Sequence, residues 1–208
     1  MDTKALRQKI LDLAIRGKLV PQDPNDEPAS VLLERIHAEK QQMVKDGKLK
    51  AKDIKNDTVI FKGDDNLHYE QFHDGTVKCI EDEIPFVLPV GWKWTRLYHI
   101  SEIVTGSTPS KKISEYYGGD FPFFKPADLE QRDNVFQASE YLSNKGKNAS
   151  RIIPSGSTAV CCIGSIGKCG YLRKDGTTNQ QINSVIPYIN KKYMYYYCST
   201  NLFVSQLI

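Results

Sequence analysis

Residues 151–172, RIIPSGSTAVCCIGSIGKCGYL, and residues 177–189, TTNQQINSVIPYI, decide the fold of the C-terminal half. The first stretch holds two short apolar runs separated by closely spaced glycines, and the second stretch ends in an apolar run. Short apolar runs bounded by Gly, Pro, Asn and Ser are typical of strands joined by turns. The pattern therefore predicts two strands around glycine turns, followed by a third strand.

The segments on either side have equally short elements. Residues 94–106 predict a strand or short helix followed by a turn, and residues 107–124 predict a loop that returns to an apolar strand. PADLEQ, residues 126–131, has the pattern of a short helix, and residues 190–208 predict a final helix.

Two helices are predicted at the N-terminus. In residues 3–19, spacings of three and four residues place four positions on one face: Leu6, Ile10, Leu13 and Gly17. Pro21 and Pro24 are expected to stop this helix, and a second helix is predicted from Ala29 to Lys50. Two helices cannot bury both apolar faces alone. The faces pack either on the rest of the chain or on another chain, and the sequence leaves both open.

Residues 58–80 predict a small β-meander. The runs TVIF, LHYEQF and TVKCI are separated by GDDN and HDGT, which are hairpin-type turns. Pro85 and Pro89 oppose helix in the next segment, so a boundary is expected within residues 85–92. The predicted fold class is α+β.

Charge is unevenly distributed along the 208 residues. Residues 1–90 carry 14 basic and 17 acidic side chains, whereas residues 91–208 carry 14 basic and 8 acidic ones. The second half is therefore expected to bind an anionic partner. No apolar stretch reaches the roughly 18 residues of a membrane span, and MDTKALRQKI has no apolar signal core, so a cytoplasmic protein is expected.

The cysteines and histidines do not form a metal or disulfide pattern. Five cysteines, none in CxxC spacing, are expected to be small, buried and reduced thiols. The histidines lack a second ligand at helical metal spacing, and His37, His68 and His73 are expected to be solvated.

Known cofactor motifs are missing. Gly167 and Lys168 are followed by Cys169, so a Walker A loop is not made, and glycines spaced by three do not form GxGxxG. The chain also lacks the Asn/Asp-Pro-Pro-aromatic motif of amino-methyltransferases. We therefore expect no cofactor.

One weak catalytic interpretation is a small metal-dependent nuclease. Asp120, Lys125 and either Asp128 or Glu130 lie close in sequence, and such clusters bind Mg²⁺ and activate water. The expected Glu-x-Lys or Asp-x-Lys spacing does not occur after Asp120.

Six stretches, covering nearly the whole chain, resemble the DNA target-recognition domain of type I restriction-modification specificity subunits and the segments before it. They are LRQKILDLAIRGKLVPQDPNDEPASVLLERI, PFVLPVGWKWTRL, TGSTPSKK, EYYGGDFPFFKPADL, IPSGSTAVCCIGSIGKCG and TNQQIN. The resemblance implies a non-catalytic subunit that recognises a double-stranded DNA sequence for partner methyltransferase and restriction endonuclease subunits.

The resemblance also implies a division of the chain. Residues 1–50 would be a helical arm, 51–90 a β-hairpin and linker, 91–192 the recognition domain, and 193–208 the start of a spacer helix. Family members usually carry two recognition domains, whereas this chain carries one. A truncated subunit, a fragment and a half-length subunit that pairs with itself all stay open.

Candidate DNA-contacting side chains lie in the motifs that carry the resemblance. Lysines would bind phosphates, and amide and hydroxyl groups would read base edges. The set is Ser107, Thr108, Ser110, Lys111, Lys112, Lys125, Ser165, Lys168, Thr178, Asn179, Gln180 and Gln181. The Asn-Gln-Gln run has an equal alternative, which is to hold the loop before a buried strand. In the helical arm, Leu6, Ile10 and Leu13 would form a partner interface.

A single-strand or RNA-binding module is the remaining alternative. Such a module would stack bases on exposed aromatic rings, so Tyr116, Tyr117 and Phe124 would face solvent. We instead expect Phe121, Phe123 and Phe124 to lie in the core.

Overall fold

The computed structural model of the chain describes residues 2–55 and 57–208 and shows an α+β fold, as predicted. Its residues form two compact units. The N-terminal unit is Asp12–Ile100, and the C-terminal unit consists of Ser101–Ile208 together with the residues up to Leu11. The boundary between the two units therefore lies after Ile100, whereas the sequence predicted a boundary within residues 85–92. The assignment of regions to arm, linker and recognition domain stays a prediction.

Glycines end both N-terminal helices. Helix α1 spans Thr3–Ile15, and Gly17 follows it with a φ of 64°. The Lys18 N–H donates to the Leu13 carbonyl over 2.8 Å, so the chain turns before the prolines that were expected to stop the helix. Helix α2 spans Ala29–Lys45 and ends in the same way at Gly47, before the predicted end at Lys50. A short α3 follows at Ala51–Ile54.

The predicted meander is confirmed. Strands β1 (Val59–Lys62), β2 (His68–Gln71) and β3 (Val77–Cys79) pair antiparallel in the order β1-β2-β3. Hairpins join them because GDDN and HDGT supply turn residues where the apolar runs stop.

Buried charges connect the elements of the N-terminal unit. Lys40 of α2 is 3% exposed, and its Nζ lies 2.8 Å from both carboxylate oxygens of Asp57. Glu70 of β2 is also 3% exposed and accepts two hydrogen bonds from the Arg96 guanidinium, at 3.0 and 2.5 Å. Lys40 also donates to the Tyr98 carbonyl over 3.2 Å, so both buried charges tie their elements to residues 96–98, which precede the C-terminal unit.

His99 is a further buried polar group in this unit. Its Nε2 accepts the Thr58 backbone N–H over 2.7 Å, which fixes the ring as an acceptor at that nitrogen. Burial lowers the pKa of His99 to about 4. By contrast, His37 and His73 are exposed and His68 is half-buried, so His68 only partly meets the expectation of a solvated ring.

Two sheets form the C-terminal unit. Its strands are β4 (Ser101–Thr105), β5 (Tyr117–Phe124), β6 (Glu140–Leu142), β7 (Thr158–Cys161), β8 (Cys169–Tyr171), β9 (Thr177–Thr178) and β10 (Ile182–Pro187). The larger sheet has the antiparallel order β4-β10-β7-β8. The smaller has the order β6-β5-β9, with β5 and β9 parallel. The strands predicted around the glycine turns are β7 and β8, and β10 is the third.

The helices of the C-terminal unit are short. They are α4 (Asn144–Asn148), α5 (Lys191–Cys198) and α6 (Asn201–Ser205). The single final helix predicted from the sequence is wrong, because Thr200 begins a new helix: its hydroxyl accepts the Phe203 backbone N–H over 3.1 Å. PADLEQ begins a 3₁₀ segment, Asp128–Asn134.

The core of the C-terminal unit is apolar. It consists of Phe124, Leu129, Val135, Ile153, Ala159, Cys161, Leu172 and Ile182. Phe123 and Phe124 are buried as predicted, and Phe121 is half-buried. Among the described residues every cysteine is free. Cys161 and Cys198 are buried as expected, whereas Cys162 and Cys169 are half-buried and Cys79 is exposed. No helix in the described part of the chain has the length and apolar character needed to span a bilayer.

Candidate nucleic-acid interface

The strand register brings three loops to one end of the larger sheet. Thr105 at the end of β4 pairs with Asn183, and Ile182 pairs with Cys161 at the end of β7. Val160 pairs with Cys169, the first residue of β8. The segments 106–112, 162–168 and 178–181 therefore leave or enter the sheet at this end, which we call the site end. Arg173 follows β8 at the opposite end, where Tyr171 pairs with Thr158.

Backbone hydrogen bonds dock the first loop on the third. The Gly106 N–H donates to the Ile182 carbonyl over 2.9 Å, and the Ser107 N–H donates to the Thr178 carbonyl over 2.8 Å. A Cβ at Gly106 would lie 2.2 Å from the Asn179 carbonyl oxygen, so only glycine permits this approach. Two of the predicted motifs, TGSTPSKK and TNQQIN, thus form one surface.

Side chains add a second connection between the same loops. The Thr108 hydroxyl donates to Gln180 Oε1 over 2.5 Å, and both residues are exposed. Gln180 keeps its amide nitrogen on the surface, with donors that suit a base or a phosphate.

The sequence left two roles open for the Asn-Gln-Gln run, which are to hold the loop and to contact DNA, and different residues of the run suit each role. Asn179 is 8% exposed; its Nδ2 donates to Gln181 Oε1 over 2.9 Å, and its Oδ1 accepts the Gln181 N–H over 3.2 Å. Asn179 therefore holds the loop, whereas Gln180 faces outward. Thr178 is 0% exposed and cannot touch DNA in this conformation, so its candidacy for direct contact is withdrawn.

Lys111 and Lys112 follow the docked loop. Both are exposed, and neither has an ion pair among the described residues. The Pro109 carbonyl accepts the Tyr117 hydroxyl over 2.6 Å, which anchors the loop just before the lysines. Their charge is available to an anionic ligand.

Two other predicted lysines are already paired with carboxylates. Lys125 Nζ lies 2.7 Å from Glu140 Oε2, and Lys168 Nζ lies 2.6 Å from Glu130 Oε1. The Lys168 ammonium lowers the pKa of Glu130 through this hydrogen bond. The expectation that these lysines are free phosphate ligands therefore needs correction, because each would first have to leave a carboxylate. Ser165, between Gly164 and Lys168, is exposed.

Sequence reasoning missed one cation at the site end. Arg151 is exposed, and its guanidinium donates to the Thr105 carbonyl over 2.7 Å. Because 46 positions separate Arg151 from Thr105, the sequence gives no sign of their contact. It shows only a single basic residue before an apolar run.

Three residues of the nuclease alternative, Lys125, Asp128 and Glu130, have structural partners, whereas Asp120 is exposed. Asp128 is buried; its Oδ2 accepts the Lys125 N–H over 2.8 Å and its Oδ1 accepts the Ser139 N–H over 2.9 Å. Glu130 pairs with Lys168, and the described residues contain no group of three potential metal ligands. Base stacking also lacks support, because Phe124 is 0% exposed and Tyr116 and Tyr117 are half-buried.

Helix α1 leaves much of its predicted apolar face uncovered by the rest of the chain. Leu6 and Ile10 are 44% and 43% exposed, and Leu13 is half-buried. The helix attaches to α5 through another face, on which Gln8 Nε2 donates to the Ser199 carbonyl over 3.0 Å and Leu11 is buried.

Sequence comparisons relate the chain to known proteins. The sequence profile of the family described as type I restriction modification DNA specificity domain matches residues 89–206. The chain is 33% identical over 205 residues to the type I restriction enzyme EcoAI specificity subunit of Escherichia coli, covering 92% of this chain and 30% of that protein. It is 47% identical over 100 residues to the EcoEI specificity subunit of the same organism, covering 48% of this chain and 13% of that protein.

One solved structure also shows similarity to the chain. The crystal structure of the HsdS subunit from Thermoanaerobacter tengcongensis matches with a TM-score of 0.48 and 16% identity, over 86% of this chain and 40% of that one. The chain spans less than a third of the length of each of the two E. coli relatives. Because the family profile matches more than half of its residues, the chain belongs to the type I restriction modification DNA specificity domain family.

Proposed function

We propose that this chain recognises a double-stranded DNA sequence and directs the methyltransferase and restriction endonuclease subunits of a type I restriction-modification system to it. The observation that carries the proposal is the site end of the larger sheet. There, the docked 106–112 and 178–181 loops present the uncompensated charges of Lys111 and Lys112 beside exposed amide and hydroxyl groups.

The chemistry of the site end matches the two requirements of duplex recognition. Lys111 and Lys112 bind phosphates and position the duplex without regard to sequence. Gln180, Ser107 and Ser165 supply the donors and acceptors that distinguish base edges. The Thr108–Gln180 hydrogen bond holds the amide in one orientation, which favours one base over the others.

The chain itself performs no catalysis in this proposal, and methylation and cleavage are done by its partners in the cytoplasm. Leu6 and Ile10 support a partner-facing role for α1, because two large apolar side chains on one helix lie exposed. They would contact the methyltransferase subunit or a second copy of the chain.

The test is selection of bound sequences from a random duplex pool, followed by affinity measurements at several salt concentrations. The wild-type chain, alone or with its methyltransferase subunit, should enrich one motif. Lys111→Ala/Lys112→Ala should weaken binding to cognate and scrambled duplexes alike and lower the salt slope by about 1.8.

A matched control removes the same charge from the opposite end of the sheet. Arg173→Ala/Lys174→Ala also deletes two adjacent exposed cations, and it should leave affinity and slope unchanged. Equal losses in both double variants would overturn the assignment of the site end, and the absence of any enriched motif would overturn sequence recognition.

A further inference from the structure

Arg151 is held at the site end by a carbonyl and not by a carboxylate. Its guanidinium donates to the Thr105 carbonyl over 2.7 Å, and the described residues provide it with no ion pair. Lys125 and Lys168, by contrast, each contact a glutamate. The charge of Arg151 is therefore directed but not neutralised.

The carbonyl that holds Arg151 is itself firmly placed. Thr105 is the last residue of β4 and pairs with Asn183 of β10. The next two residues donate their backbone N–H groups to the 178–181 loop and to Ile182. A guanidinium anchored at this point lies at the root of the 106–112 loop and loses little conformational freedom when it takes a ligand.

The remaining donors of Arg151 suit a phosphate. A guanidinium has five N–H donors in a planar fork, and the bond to Thr105 uses one of them, so a bidentate contact stays available. Because the side chain is held against the backbone of a strand end, it reaches less far from the protein than a loop-tip lysine does. That geometry favours the phosphate backbone over base edges in the groove.

We propose that Arg151 binds a phosphate of duplex DNA at the flank of the site end, next to the contacts of Lys111 and Lys112. The inference rests on the proposed function, since it takes duplex DNA as the ligand. It adds a sequence-independent contact that positions the duplex relative to the 106–112 loop.

The test measures binding of the 208-residue chain to a fluorescent 30-base-pair duplex of mixed sequence over a range of NaCl concentrations. Arg151→Gln is the informative variant, because it removes the charge and keeps a polar, hydrogen-bonding side chain at this position. We expect a several-fold weaker affinity and a salt slope lower by about 0.9. A merely structural role would leave the slope unchanged, since the slope counts phosphates neutralised.

Arg173→Ala is the matched control, because it removes one exposed arginine at the opposite end of the sheet and should change neither quantity. An unchanged slope in Arg151→Gln, with a lower slope in the Lys111/Lys112 variant, would overturn this inference and leave the proposed function standing. A wild-type chain with no salt-dependent duplex binding would overturn both. A loss confined to the selected cognate duplex would assign Arg151 to a base edge and overturn the phosphate contact.

Discussion

The two units bury different kinds of groups. In the N-terminal unit, Lys40, Glu70 and His99 are each less than 10% exposed and are held by ion pairs and hydrogen bonds. In the C-terminal unit, the buried cluster around Phe124 and Ile182 is apolar, and the basic residues lie at the surface. Buried ion pairs thus hold the N-terminal unit together. The C-terminal unit has ion pairs at its surface and one buried carboxylate, Asp128, and it leaves the charges of Lys111 and Lys112 free to bind a ligand.

This difference predicts which conditions and substitutions change the stability of each unit. Removing one member of a buried ion pair leaves the other charge without a partner, and protonating a buried hydrogen-bond acceptor also creates a buried charge without a partner. The stability of the N-terminal unit should therefore depend on pH. An apolar core does not titrate. The C-terminal unit should instead respond to loss of buried volume, and its surface to salt.

The largest effect is expected from Phe124→Ala. Deleting a fully buried ring costs about 3–5 kcal/mol of unfolding free energy through lost burial and a residual cavity. Hydrogen-exchange mass spectrometry of residues 158–187 should show the loss, and it should be equal at pH 7 and pH 5. Phe121→Ala is the matched control: its ring is half-buried, so the cost should be less than half as large. A loss that grows at low pH would contradict the comparison of the two units.

A pH effect of intermediate size is expected in the N-terminal unit. His99 has a folded-state pKa of about 4 because it is buried, against 6.5 in the unfolded chain. The unfolded state therefore binds more protons between these values, and stability falls as the pH falls through this window. From pH 7 to pH 4.5 the loss should be about 2–3 kcal/mol.

Tryptophan fluorescence during urea unfolding measures this loss, because Trp92 and Trp94, the two tryptophans of the chain, both belong to the N-terminal unit. His99→Gln keeps an acceptor for the Thr58 N–H without an ionisable ring, so its pH dependence should be much shallower. The Arg96 guanidinium holds the pKa of Glu70 below its usual value, which adds a further loss only below about pH 4.5. An equally steep loss in His99→Gln would assign the dependence to other groups.

The smallest effect concerns a paired lysine at the site end. Glu130→Gln removes the carboxylate that competes with phosphate for Lys168, so duplex affinity should rise about two- to fivefold, as expected for a surface ion pair. The salt slope should rise by up to about 0.9. Glu102→Gln removes an equal charge next to Ser101, at the opposite end of the sheet, without freeing a lysine, and should have little effect. No gain from Glu130→Gln over Glu102→Gln would exclude Lys168 from the DNA surface.

Local patterns were enough for most of the elements and for part of the site. The meander at residues 58–80 and the strands β7, β8 and β10 follow from short apolar runs between turn residues. Gly17 and Gly47 are typical of helix ends, but the nearby prolines and the continuing helical pattern led to predicted ends that lie too late in the chain. The exposed lysines Lys111 and Lys112 follow from their loop composition alone.

Contacts between distant residues decided the rest. Spacing in the chain cannot show that Lys168 meets Glu130 across 38 residues, that Thr178 is fully buried, or that Arg151 reaches the Thr105 carbonyl. Each of these depends on strand order and register, which bring together segments whose local patterns carry no information about one another. The sequence therefore identified which residues have the chemistry to bind DNA, and the tertiary structure determined which of their charges are free, because ion pairing and burial are properties of neighbours in space.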